Sequence, residues 1–131
     1  MKARIIHLPK IVDDRGNLSY IEESNHIPFK IERTFWIYDV PGGESRGGHA
    51  FHKTEELIIA LSGSFTVLLD DGHERKEFHL GRSYYGLYVH RMIWREMTDF
   101  STNSLALVLA STPYSADDYI RNYNEFLNAT K

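Results

Sequence analysis

Cysteine is absent from the 131 residues, which removes a disulfide framework and any thiolate metal site. Positive charge is also scarce. Fifteen Lys and Arg stand against eighteen Asp and Glu, a formal net charge of -3, so no basic field draws in nucleic acid. No apolar run approaches the roughly 20 residues a membrane span needs. The opening Met1-Lys2-Ala3-Arg4-Ile5-Ile6-His7 has too little apolar length for a signal peptide. These absences lead to the expectation of a cytoplasmic protein with no nucleic-acid or membrane partner. Linkers, low-complexity tracts and internal repeats are absent too. The length suits one domain, 1–131, able to bury a core without staples.

Aromatic side chains are plentiful: eight Tyr, seven Phe and two Trp. They suit half-buried sheets, and equally pockets in which a base or sugar stacks. Turn signals recur about every ten residues between strand-like stretches, which predicts an all-β sandwich or barrel over 1–112. Strands are expected at Ala3 to Leu8, Leu18 to Ile21, Ile31 to Val40, Glu56 to Leu61, Phe65 to Leu69, Arg75 to Leu80, Tyr85 to Val89, Ile93 to Met97 and Leu105 to Ala110. Asp14-Arg15-Gly16-Asn17 reads as a turn, and Asp70-Asp71-Gly72 as a tight hairpin turn. Only the tail, 113–131, reads as helix. Ser115 is its expected N-cap, and Tyr119, Ile120, Tyr123, Phe126 and Leu127 form its apolar stripe.

The informative segment runs from Gly43 to Gly63. Its Gly43, His49, Glu56 and Gly63 have a spacing similar to the first cupin motif. In metal-binding cupins two His, one Glu and a later third His converge on an ion. Here Phe51 stands at the second His position and Arg95 at the third. A phenyl ring cannot ligate and a guanidinium repels a cation, so no metal is expected. His52 lies one residue beyond Phe51. In a regular strand it faces away from His49, and only a bulge turns it inward.

Longer stretches extend the likeness. Asp14-Arg15-Gly16, Ile27-Pro28-Phe29, Arg46-Gly47-x-His49-Ala50, Leu61-x-Gly63-Ser64, Leu69-Asp70-Asp71-Gly72 and Gly86-Leu87-Tyr88-Val89 are followed by Trp94-x-Glu96-Met97-x-Asp99-Phe100-Ser101, Val108-Leu109-Ala110-Ser111 and Asp118-Tyr119-Ile120-Arg121. In order and spacing these resemble the WxcM-like cupins that act as nucleotide-sugar 3,4-ketoisomerases. The resemblance implies a cupin jelly-roll barrel with a short C-terminal helix and a homodimer with exchanged N-terminal strands. It also implies a dTDP-4-keto-6-deoxyhexose as substrate and no cofactor. The family normally carries His-Ala-His, with the second His a leading candidate for the base. This chain has His49-Ala50-Phe51, and Arg95 where the family often has His.

Moving a carbonyl from C4 to C3 takes a proton from C3 and delivers one to C4, through an enediol with charge on oxygen. An imidazole near its ordinary pKa can serve as both base and acid. His49 is the expected shuttle, with His52 the alternative. Arg46, Arg95 and Tyr88 are candidates to stabilise the oxyanion. Arg15 and Arg46, set beside glycines, suit a diphosphate through forked hydrogen bonds. Trp36 and Tyr38, on one strand face, are candidates to stack on the thymine or sugar. Competing readings are a nucleotide-sugar-binding cupin without turnover, a metal-dependent cupin, and a sugar 3,5-epimerase.

Overall fold

A computed structural model describes every residue of the chain except Gly47. Among the described residues twelve strands form: β1 Ala3–His7, β2 Lys10–Ile11, β3 Leu18–Ser19, β4 Arg33–Tyr38, β5 Arg46–Phe51, β6 Glu56–Ser62, β7 Phe65–Asp70, β8 Arg75–Leu80, β9 Tyr85–Val89, β10 Trp94–Thr98, β11 Leu105–Ala110 and β12 Tyr119–Ile120. The short helix α1 is Glu23–His26 and α2 is Tyr123–Ala129. One antiparallel sheet has the order β1-β9-β6-β11-β4, the other β12-β5-β10-β7-β8, and β2 pairs with β3 in a separate hairpin. The expected all-β jelly-roll with a short C-terminal helix is the fold observed.

Period-two alternation assigns each strand two faces. The inward residues Ile58, Ala60, Val67, Leu69, Leu87, Val89, Met97, Ala106 and Val108 fill the space between the sheets. The first sheet is apolar on its outer face as well. There Leu57, Ile59, Tyr88 and Leu109 pack under Leu8, Ile27 and Phe29. Such double-sided burial is why β6 reads as the continuous run Glu-Leu-Ile-Ile-Ala-Leu instead of an alternating one. On the outside of the second sheet, Ala50, Trp94 and Ile120 are capped by Phe126 of α2.

The tail departs from the expected helix. Ser115 opens only a 3-10 turn, its carbonyl accepting from the Asp118 N–H at 3.1 Å. Tyr119 and Ile120 then extend as a strand, pairing with Phe51 and Ala50. This pairing satisfies the edge of β5, and the alternation sends Tyr119 inward and Ile120 outward. The helix begins later, capped by Asn122, whose Oδ1 accepts from the Glu125 N–H at 3.0 Å. Tertiary pairing has overridden the helical spacing of the apolar residues. The β7–β8 connection also differs. Asp70 pairs with Arg75, so four residues turn the chain, with Gly72 at φ +93°.

Gly63 makes the β6–β7 turn at φ +68°, and a Cβ there would lie 2.5 Å from Ser101 Oγ and 2.8 Å from Ser104 Cα. Strained backbone and a clash against backbone combine. Gly63→Ala is expected to lower stability by about 2–4 kcal/mol, read as a reduced urea midpoint.

Candidate active site

Strand β5 and its neighbours build the site. Arg46 and His49 are three apart, so regular alternation would turn them to opposite faces. Their partners on β10 are only two apart: Met97 pairs with Arg46 and Arg95 with His49. The register shifts by one residue between these two pairs, a β-bulge that restores both side chains to the barrel side. A bulge does occur in this strand, but before His49 and not after it. His52 therefore stays outward and exposed, against Lys53, Tyr114 and Asp117 in a separate cavity of about 480 Å3. The alternative that gave His52 the proton transfer loses its geometric basis.

His49 lines a cavity of about 320 Å3 with Phe35, Ile37, Arg46, Arg95, Tyr119 and Arg121, and Trp36 borders it. The imidazole is only 7% exposed. Its ring lies 4.8 Å from the Phe51 ring in an edge-on contact, and 5.0 Å from the Tyr119 ring. Its Nε2 is buried and has no hydrogen-bond partner. Burial, followed by the charges of Arg95, Arg121 and Arg33, lowers the His49 pKa to about 3. The imidazole is neutral at physiological pH, unlike the near-neutral titration expected from an ordinary histidine.

Arg95 is 2% exposed and Glu56 1%. Their approach is two-pronged, Nε to Oε1 at 2.6 Å and Nη2 to Oε2 at 2.9 Å. Arg95 Nη1 also points at the sulfur of Met97 at 3.3 Å. The glutamate that fits the cupin motif thus holds a guanidinium. Arg46, Arg95 and Arg121 line the cavity, Arg121 over the Tyr119 ring at 4.3 Å, and behind them Arg33 donates to the Tyr119 hydroxyl at 3.5 Å. One neighbouring carboxylate, Glu56, offsets them. Such a set of groups attracts anions and repels cations. Among the described residues no three His, Asp or Glu side chains converge as metal ligands would.

The structure brings together His49, Arg46 and Arg95 of the expected set. It leaves Trp36 at the border of the cavity and keeps Tyr88, Arg15, Tyr38 and His52 out of its lining. Tyr88 points to the outer face of the first sheet, 5% exposed, beside Leu8 and Phe29. Its hydroxyl donates to Glu55 and meets His90 Nδ1 at 2.9 Å. Burial and then that carboxylate push its pKa upward. It cannot serve an oxyanion beside His49. Arg15 sits on the β2–β3 connection, forked onto Asp13 at 3.0 and 3.1 Å, outside the cavity lining. Trp36 and Tyr38 do share a strand face, but it is the exposed outer one; Phe35 and Ile37 take the inner positions.

Sequence reasoning missed Arg33, Tyr119 and Arg121 as site residues. Tyr119 and Arg121 were visible only as part of a family stretch, because a helical tail would have scattered them. Arg33 opens β4, where a strand-end arginine ordinarily reads as solvated.

The whole chain, residues 1–131, matches the family described as FdtA: WxcM-like, C-terminal. It is 45% identical over 126 residues to the TDP-4-oxo-6-deoxy-alpha-D-glucose-3,4-oxoisomerase of Aneurinibacillus thermoaerophilus, covering 96% of this chain and 91% of that one. A 3,4-ketoisomerase from Helicobacter canadensis superposes with a TM-score of 0.96 at 38% identity, covering 99% of this chain and 98% of the other. QdtA of Thermoanaerobacterium thermosaccharolyticum, a 3,4-ketoisomerase solved as a mutant with TDP-4-keto-6-deoxyglucose, gives 0.95 at 36% identity, covering 98% and 93%. A full-length family match, a relative near half identical, and a barrel whose cationic cavity surrounds a neutral imidazole agree: the chain belongs to the WxcM-like family that includes the sugar-nucleotide 3,4-ketoisomerases.

Proposed function

We propose that this chain is a sugar-nucleotide 3,4-ketoisomerase that moves the keto group of a TDP-linked 4-keto-6-deoxyhexose from C4 to C3, with His49 carrying the proton. One observation carries the residue assignment. A neutral imidazole with an unpartnered, buried Nε2 lines the same cavity as the guanidinium groups of Arg46, Arg95 and Arg121. A neutral imidazole can accept the C3 proton without first losing one. Arg95, fixed by Glu56, and Arg46 supply preorganised positive charge for the enediolate oxygen. The same cations suit the two negative charges or so of the diphosphate, which Arg46 and Arg121 can bind by forked hydrogen bonds. That anion offsets the charges that depress His49, so its proton affinity rises once substrate is bound.

The proposed assembly is a homodimer. The outer face of the first sheet exposes Trp36, Tyr38 and Leu61, and the β2–β3 hairpin exposes Ile11, Val12 and Leu18. Exposed apolar side chains of this kind are what an isologous interface covers. β1 lies on β9 of its own chain, Ala3 opposite Val89. Exchange of N-terminal strands in the dimer would reproduce that register between subunits. No helix among the described residues is long and apolar enough to cross a membrane, and the proposed setting is the cytoplasm.

Purified protein given TDP-4-keto-6-deoxyglucose should form the 3-keto isomer, followed by NMR. Chelator should leave the rate unchanged, because Phe51 and Arg95 stand where metal ligands would. Binding of TDP without exchange of the C3 proton in deuterated water would overturn turnover and favour a binding module. A rate restored only by added metal would overturn the cofactor-free mechanism.

A further inference from the structure

Resting on the ketoisomerase reading, we infer that Tyr119 is a second catalytic residue, relaying a proton between the O3 and O4 oxygens of the sugar while His49 transfers the carbon-bound proton. Isomerisation moves two protons, one from C3 to C4 and one from O3 to O4, and one imidazole accounts for the first only. Tyr119 is the phenol of this cavity, its ring 5.0 Å from that of His49. Its oxygen accepts a hydrogen bond from Arg33. Its own proton has no acceptor among the described residues. By contrast, Tyr88 and Tyr123 donate to the carboxylates of Glu55 and Asp70. Arg33 and the Arg121 guanidinium above the ring stabilise the phenolate formed in passing.

The protons balance. As His49 takes the C3 proton, the Tyr119 phenol protonates O4, giving the enediol and a phenolate. The imidazolium then protonates C4 while the phenolate takes the O3 proton. C3 is left as the carbonyl, and both side chains return to their starting forms. The relay also matches the position of Phe51, which denies this site a second imidazole.

Tyr119→Phe tests it while keeping the ring contacts with His49 and Phe51. The substrate is TDP-4-keto-6-deoxyglucose in deuterated water, with turnover and deuterium exchange into unreacted substrate measured together. Turnover is expected to fall by about 10²-fold, with TDP affinity unchanged. Exchange should fall less, because the guanidiniums still stabilise an enediolate, so the ratio of exchange to turnover rises. A wild-type turnover number, or an unchanged ratio, would overturn the relay while leaving the ketoisomerase reading intact. Failure of the wild-type protein to turn over that substrate would instead remove the ketoisomerase reading itself.

Discussion

His49→Gln should lower kcat for TDP-4-keto-6-deoxyglucose by roughly 10³-fold, within the range a general acid–base group supplies, while the protein stays folded and still binds TDP. Glutamine fills most of the imidazole's space between Phe51 and Tyr119, and removes the group that exchanges a proton with carbon. A second readout separates the buried imidazole from an ordinary one. The pH dependence of kcat/KM reports the ionisation of the free enzyme. Since burial and three arginines hold His49 down at about 3, the base is already neutral throughout pH 5 to 8. The profile should lack the acid limb near 6.5 that a solvated histidine imposes. Full activity in His49→Gln would end the mechanism, and a clear limb at 6.5 would show that the imidazole is not held as the structure indicates.

The second large effect concerns stability. Glu56→Ala strips the partner from an arginine that is 2% exposed. Breaking a buried pair from one side leaves an uncompensated charge and costs about 3–5 kcal/mol. The urea midpoint should fall accordingly, and the methionine sulfur 3.3 Å away is too weak an acceptor to offset the loss. TDP should recover part of the stability, because an anion in the cavity supplies the missing negative charge. Replacing both members with apolar side chains of similar size, Glu56→Leu with Arg95→Met, should recover most of the midpoint and none of the activity. The two variants together would show that the pair is kept for the charge it presents to a ligand and contributes little net stability. A Glu56→Ala protein as stable as wild type would contradict the buried geometry.

Arg95 illustrates how far the residue pattern could be followed. From spacing alone it stood where a metal-binding barrel places a histidine, and its positive charge argued for an anionic ligand. That inference needed only chemistry and position. Its pairing with Glu56 joins residues 39 apart, and nothing local encodes such a contact. Tyr88 shows the opposite case. It looked well placed for an oxyanion, yet one step of alternation on β9 sends it to the far side of the sheet. Trp36 and Tyr38 were assigned to the same face, as observed, but which face is inward depends on what packs against the sheet. Arg46 and His49 came together only through the extra residue between them, a register fact that lies in the pairing with β10.

By itself, the order of residues determined the strand content, most turns, the family, and the imidazole–guanidinium chemistry. Side-chain period, turn residues and charge are properties of short segments. Tertiary structure decided which candidates share the cavity, that Tyr119 and Arg121 reach it through a strand and not a helix, and that His49 is neutral. Those outcomes depend on cross-strand register, edge pairing and burial, which arise only when distant segments meet.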